Sequence, residues 1–185
     1  MVEATPSREV PGKKRVGGLF LFITDEEGNA LFFENNQTKE STQKVRGQLT
    51  TPAETLEKGE KILTDCLPRT IREEVGIINS CIQPLFRGTA HFNTPAYSIS
   101  LYCYEIQTSQ AAVEIAPEDS GELGAPRWIP VDNVDNRELV VDGFRVPLFR
   151  VPISQFAGNI LKARRQEKFP LVHVVESNLP KGLFI

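Results

Sequence analysis

Two apolar runs open the patterned part of the chain, "VGGLFLFI" at 16–23 and "ALFF" at 30–33, parted by "TDEEGN". Asp, Gly and Asn between apolar runs predict a β-hairpin. Residues 34–46 are polar and predict a loop, and "GQLTTPAETLEKGE" predicts a short strand followed by an irregular loop with Pro52 and Gly59. The period then changes. In "KILTDCLPRTIREEV" at 61–75, Leu63, Leu67, Ile71 and Val75 recur every fourth residue beside Ile62 and Cys66, which predicts a helix. Gly76 is placed to end it. Pro68 falls inside the pattern, where it removes a hydrogen bond and crowds the preceding turn. Either the helix kinks there, or Pro68 opens a second segment with Thr64 or Asp65 near its cap.

Downstream, "CIQPLFRGTAHF" and "YSISLYCYEIQ" predict two strands joined through "NTP". "AAVEIAPEDSGELGA" reads as a polar loop and "PRWIPV" as a short strand. An irregular stretch follows. "VPISQFAGNILKARRQ" predicts an amphipathic helix with Ile153, Phe156, Ile160 and Leu161 on one side. "PLVHVVESNLPKGLFI" is apolar enough for a final strand or a packed extension. The order of elements predicts a mixed α/β domain whose helices cover a curved sheet. Residues 1–15 read as a flexible tail, 16–170 as the domain, and 171–185 as an extension packed on the domain or on a partner subunit.

Composition narrows the function. A chain of 185 residues, 40 % apolar and 24 % charged, suits one domain with its own core. A net charge of −3 argues against nucleic-acid binding over a wide surface, while a local basic cluster or a metal still suits a small anion. No apolar stretch has the length of a bilayer span, and "MVEATPSREVPGKKR" has no secretory core, so a cytoplasmic protein is expected. Cys66, Cys81 and Cys103 are far apart, and His91 and His173 are the only histidines. That argues against structural zinc and for buried thiols in a reducing cytosol.

The chemistry concentrates in "RTIREEVGI" at 69–77. Helical spacing puts Thr70, Glu73 and Glu74 on one face. Two neighbouring carboxylates repel unless a cation lies between them, and hard oxygen ligands suit magnesium or manganese. Arg69 stands four residues before Glu73, close enough to steer it. Upstream, "LEKGE" puts Glu57 and Glu60 either side of Gly59, and Glu60 completes an oxygen-rich site on this reading. A charged helix face is also an ordinary solvated surface, and the upstream loop tips the reading towards a metal.

The stretch Pro52 to Ile77 resembles the signature of the Nudix hydrolases: Gly, five residues, Glu, seven residues, Arg-Glu-aliphatic-any-Glu-Glu-any-Gly-aliphatic. Glu60, Arg69, Ile71, Glu73, Glu74, Gly76 and Ile77 fall on its positions. Three residues or spacings depart from it. Glu54 stands where the first glycine belongs, eight residues rather than seven separate Glu60 from Arg69, and Thr70 replaces the first glutamate after the arginine. The opening hairpin and "GELGAPRWIPVDNV", with Glu122 six residues before Trp128, extend the resemblance over about residues 16–166. It implies a Nudix-type α/β/α sandwich with a mixed curved sheet. It also implies a pyrophosphohydrolase that cleaves a nucleoside diphosphate linked to another moiety with Mg2+ or Mn2+. On that basis Glu60, Glu73 and Glu74 are the expected metal ligands. Glu73, Glu122 and Arg69 are the expected catalytic residues, and Ala53, Glu54 and Phe92 the expected substrate contacts. "PAE" is similar to the Pro-Ala-Gly of ADP-ribose pyrophosphatases, which often form homodimers, and the apolar C-terminal segment fits a homodimer too. A nucleotide-binding module with weakened chemistry, or a purely structural domain, are the alternatives.

Overall fold

The computed structural model describes residues 12–38, 45–77, 82–93, 97–113, 121, 123–131, 136–141, 144–149 and 153–174. Strand β1 (Lys14–Thr24) turns at Asp25–Gly28 into β2 (Asn29–Asn35). The Asp25 carboxylate fixes that turn by accepting from the backbone N–H groups of Glu27 and Asn29, at 3.0 and 2.7 Å. The predicted hairpin is present, yet Thr24 and Ala30 are its one paired register position. β2 diverges from β1, and β4 (Ala53–Thr55) takes its place with Gly18 opposite Thr55 and Phe20 opposite Ala53.

On its other side β1 runs parallel to β6 (Tyr97–Gln107) over its whole length. β5 (Leu85–Asn93) is antiparallel to β6, and β10 (Leu171–Val174) adds a parallel edge strand to β5. Beyond β2 lie β3 (Leu49–Thr50) and β7 (Leu123–Pro130), both antiparallel to it. Among the described residues these eight strands form one mixed sheet, so the last segment begins as part of the domain's own sheet. The irregular stretch expected at 132–150 is instead a separate antiparallel hairpin of β8 (Asn136–Val141) and β9 (Phe144–Phe149).

Alternation along β1 divides the core between the two faces. Leu19, Leu21 and Ile23 join Leu31, Phe33, Cys66, Leu67, Ile71 and Val75 under the 62–75 helix. Phe20 and Phe22 join Phe32, Phe92, Ala157, Ile160 and Leu161 under α2 (Gln155–Arg165). Ser154 caps α2 by accepting from Ala157 N–H at 3.3 Å. Each such Leu, Ile or Phe removed from water contributes about 1.5–3 kcal/mol. The result is an α/β/α arrangement, and among the described residues no helix is long and apolar enough to cross a membrane.

Gly18 sets the distance between β1 and β4. A Cβ there would lie 2.7 Å from the Glu54 carbonyl oxygen and 2.9 Å from Leu101 Cδ2. Backbone cannot yield as a flexible side chain does. Gly18→Ala is therefore expected to cost about 1–3 kcal/mol, as overpacking does, and to push the 53–60 loop outwards. Urea unfolding checks it, and wild-type stability in this variant would refute the tight approach.

Candidate functional site

The site grows out of the turn between β4 and the 62–75 helix. Gly59, at φ 90°, lets the loop fold back so that Glu57 N–H donates to Glu60 Oε2 at 2.8 Å. Helical structure then begins with a π-type turn over Ile62–Cys66, continues as one α-helical turn, Leu67–Thr70 (α1), and ends in a second π-type turn over Ile71–Val75. In the first wide turn Cys66 N–H donates to the Lys61 carbonyl, five residues back, at 3.1 Å. Pro68 lies in the first turn of α1, where its missing N–H costs least. The run is continuous, with Cys66 and Leu67 both in the right-handed helical conformation, so Pro68 opens no separate segment and neither Thr64 nor Asp65 caps one; the helix changes width there instead. Gly76 ends the run in the left-handed conformation, φ 64° and ψ 38°, and its N–H closes on the Ile71 carbonyl at 2.8 Å.

The wide turn absorbs the extra residue between Glu60 and Arg69. Arg69 still reaches Glu60 as a fork, Nε to Oε1 at 3.0 Å and Nη2 to Oε2 at 2.9 Å. Nη2 also donates to the Thr55 carbonyl at 3.1 Å, and Nη1 lies 3.4 Å from Glu54 and 4.0 Å from Glu73. One guanidinium thus ties the loop to the helix and collects three carboxylates. The hydrogen bond to Arg69, helped by the Glu57 N–H, holds the Glu60 carboxyl below the usual glutamate range, and the same bond keeps Arg69 charged.

Glu60, expected as a metal ligand, has both oxygens engaged by Arg69. Glu73 is half exposed, with Arg72 3.5 Å away, and Glu74 beside it is partly buried. Thr70 is 0 % exposed, and its hydroxyl donates to the Cys66 carbonyl at 2.9 Å. Ala53 and Glu54 lie in β4 against β1, within the loop that Arg69 holds. Phe92, expected against substrate, is 0 % exposed inside the α2-side core. Glu122 and Cys81 lie outside the described residues, and so does the side chain of His173. Burial pushes the Cys66 thiol up and takes Cys103 up to about 12, so both stay protonated. The Glu54–Arg69 and Thr55–Arg69 contacts carry no sequence signal. The π-type turn does carry one, the eight-residue spacing itself.

The linkage gives a stability prediction. The Glu60 carboxyl is depressed in the folded state, so its contribution is present above the unfolded value near 4.5 and is lost as pH falls through the lower folded value. Glu60→Gln is expected to lower stability at neutral pH and to leave it unchanged in strong acid. Urea unfolding against pH checks this, and an equal loss at every pH would show that the carboxylate charge plays no part.

The donor set consists of hard oxygens, the type magnesium and manganese take. No group of three His, Cys, Asp or Glu side chains suited to a metal forms among the described residues. Magnesium is often held by one or two carboxylates, with substrate phosphates and water completing its shell. The adjacent Glu73 and Glu74 fit that smaller demand.

A sequence profile of the NUDIX domain matches residues 14–151. No curated protein matches the chain. Among solved structures, the chain is similar to a MutT protein from Methanosarcina mazei Go1, at TM-score 0.60 and 14 % identity, covering 85 % of this chain and 97 % of that one. A MutT NUDIX hydrolase from Burkholderia pseudomallei matches at TM-score 0.57 and 15 % identity, over 81 % and 98 % of the two chains. The NUDIX domain of Shewanella oneidensis NrtR, solved in complex with ADP-ribose, matches at 0.57 and 13 % identity, over 83 % and 88 %.

Proposed function

The chain belongs to the Nudix hydrolase family, and from that membership we propose that it hydrolyses the diphosphate of an ADP-ribose-like nucleotide. The observation that carries this reading is the Arg69 fork on Glu60. It keeps loop and helix in the relation the signature requires despite the inserted residue. Arg69 and Glu60 serve as the brace, and Glu73 and Glu74 as the carboxylates that would hold Mg2+ or Mn2+. When bound, the cation supplies neutralisation of the diphosphate charge and polarisation of the P–O bond. Glu73, half exposed between Arg69 and Arg72, takes the proton of the attacking water, as a general base must. Glu122 is the second candidate for that proton on the family resemblance alone. Ala53 and Glu54 bring the loop backbone to the substrate. Water adds to one phosphorus, the bridging oxygen leaves with the other, and ADP-ribose gives AMP and ribose 5-phosphate. The relative solved with ADP-ribose supports this substrate class.

The same reading includes a cytoplasmic homodimer. Free, buried Cys66 and Cys103 are in keeping with a reducing compartment, and the exposed Leu85, Phe86 and Val172 favour self-association. Light scattering over a range of concentrations tests the dimer.

A panel of nucleoside diphosphates linked to sugars, alcohols or further phosphates, each with magnesium and with manganese, tests the activity. Release of nucleoside monophosphate supports it. A second reading, a nucleotide-binding module with weakened chemistry, is favoured by one observation, the buried Thr70 where the signature has a carboxylate. Saturable ADP-ribose binding by calorimetry without turnover would select it.

A further inference from the structure

Glu105 lies near the end of β6 and is 8 % exposed. A buried carboxylate needs partners, and it has two cations from different elements. Arg87 of β5 donates through Nε to Oε2. Arg164 of α2 donates through Nε to Oε2 at 2.9 Å and through Nη2 to Oε1. Thr24 Oγ1 adds a bond to Oε1 at 3.2 Å. Burial pushes the Glu105 carboxyl up, but Arg164 and then Arg87 outweigh it, and it lies below the ordinary glutamate value. Two guanidiniums therefore share one carboxylate. Glu105 takes one donor group of Arg87 and two of Arg164, which leaves part of each five-donor fork unspent.

These side chains line a cavity of about 710 Å³, with Gln83, Leu85 and Gln107 around them. That is within the range of small-molecule sites, roughly 300–1,000 Å³. The cavity is not the Nudix-box site. Thr24 lies six residues along β1 from Gly18, about 20 Å at a strand's rise of ~3.3 Å per residue. Phe22, over whose ring Arg164 lies at 5.8 Å, faces α2 rather than the 62–75 helix. Asp25 and Glu26 form part of the cavity wall. The Asp25 oxygens are occupied by the backbone of Glu27 and Asn29 and the amides of Asn29 and Gln110. One anionic group is drawn to the arginines, and further negative charge meets Asp25 and Glu26.

We propose that this cavity is a second ligand site, which binds a small molecule through one anionic group, a carboxylate or a phosphate monoester, on Arg87 and Arg164. The test uses the full chain without metal, titrated with inorganic phosphate, lactate and tripolyphosphate and followed by backbone amide NMR. Saturable shifts at Thr24, Arg87 and Gln107 with phosphate or lactate are expected, and whichever binds more tightly identifies the group. Arg87→Gln, which removes the fork, and Leu85→Trp, which fills the cavity from an exposed position, are each expected to weaken that binding tenfold or more. Glu74→Gln is expected to leave it unchanged. The wild-type shift map stands even where a variant folds poorly. No saturable shift with either small anion overturns the proposal. Undiminished binding in both cavity variants, loss in Glu74→Gln, or tighter binding of tripolyphosphate at these residues would overturn it as well.

Discussion

Glu74→Gln is expected to lower hydrolysis on the order of a hundredfold while the fold persists. The substitution keeps the side chain's size and removes its charge. It leaves Glu73 as the remaining carboxylate on the exposed end of the helix, and one formal charge is a weak grip for a divalent cation among phosphates. Loss of electrostatic stabilisation aimed at a reacting group commonly costs two to three powers of ten in rate, roughly 2.7–4 kcal/mol. The split between parameters is informative. A drop in kcat with KM little changed marks a group that acts in the transition state. An unchanged rate would remove Glu74 from the site and turn attention to Glu54, which Arg69 holds 3.4 Å away.

Thr70→Glu has the second large effect, and its sign depends on metal. Position 70 is fully enclosed, and its present hydroxyl is satisfied by the Cys66 carbonyl. A glutamate there is a buried charge, and an uncompensated charge of this kind costs about 3–5 kcal/mol. The metal-free variant is expected to melt well below wild type. If the position faces the cation, magnesium restores much of that loss, because a ligand that binds only the folded state stabilises it, and hydrolysis rises. Melting curves with and without magnesium decide it. A loss of stability that magnesium leaves untouched would mean that position 70 faces the core alone.

The same helix shows how far the sequence reaches. An every-fourth-residue stripe of Leu63, Leu67, Ile71 and Val75 predicts one buried face. Leu67, Ile71 and Val75 are buried, but Leu63 is 48 % exposed. The π-type turn over Ile62–Cys66 holds more residues per turn than an α-helix, so the stripe loses phase where the extra residue is taken up. The spacing of eight between Glu60 and Arg69 carries that information, and periodicity alone does not. The burial of Phe92 is illegible for another reason. Its surroundings come from β6 on one side and β10 on the other, and strand order across eighty residues is not written in a local pattern. The β8–β9 hairpin was legible. Asp142-Gly143 between "ELVV" and "FRVPLF" is a strong hairpin signal. At Glu60 the sequence shows an oxygen ligand beside a glycine but not the partner that engages it. Only the fork geometry of Arg69 reveals that its oxygens are already in use.

The most direct test of the account is the fate of ADP-ribose incubated with the full chain as magnesium is raised from zero. AMP and ribose 5-phosphate are expected in equal amounts, formed at a rate that climbs with magnesium and saturates. ADP-ribose recovered intact at saturating magnesium, and again with manganese in its place, would contradict it.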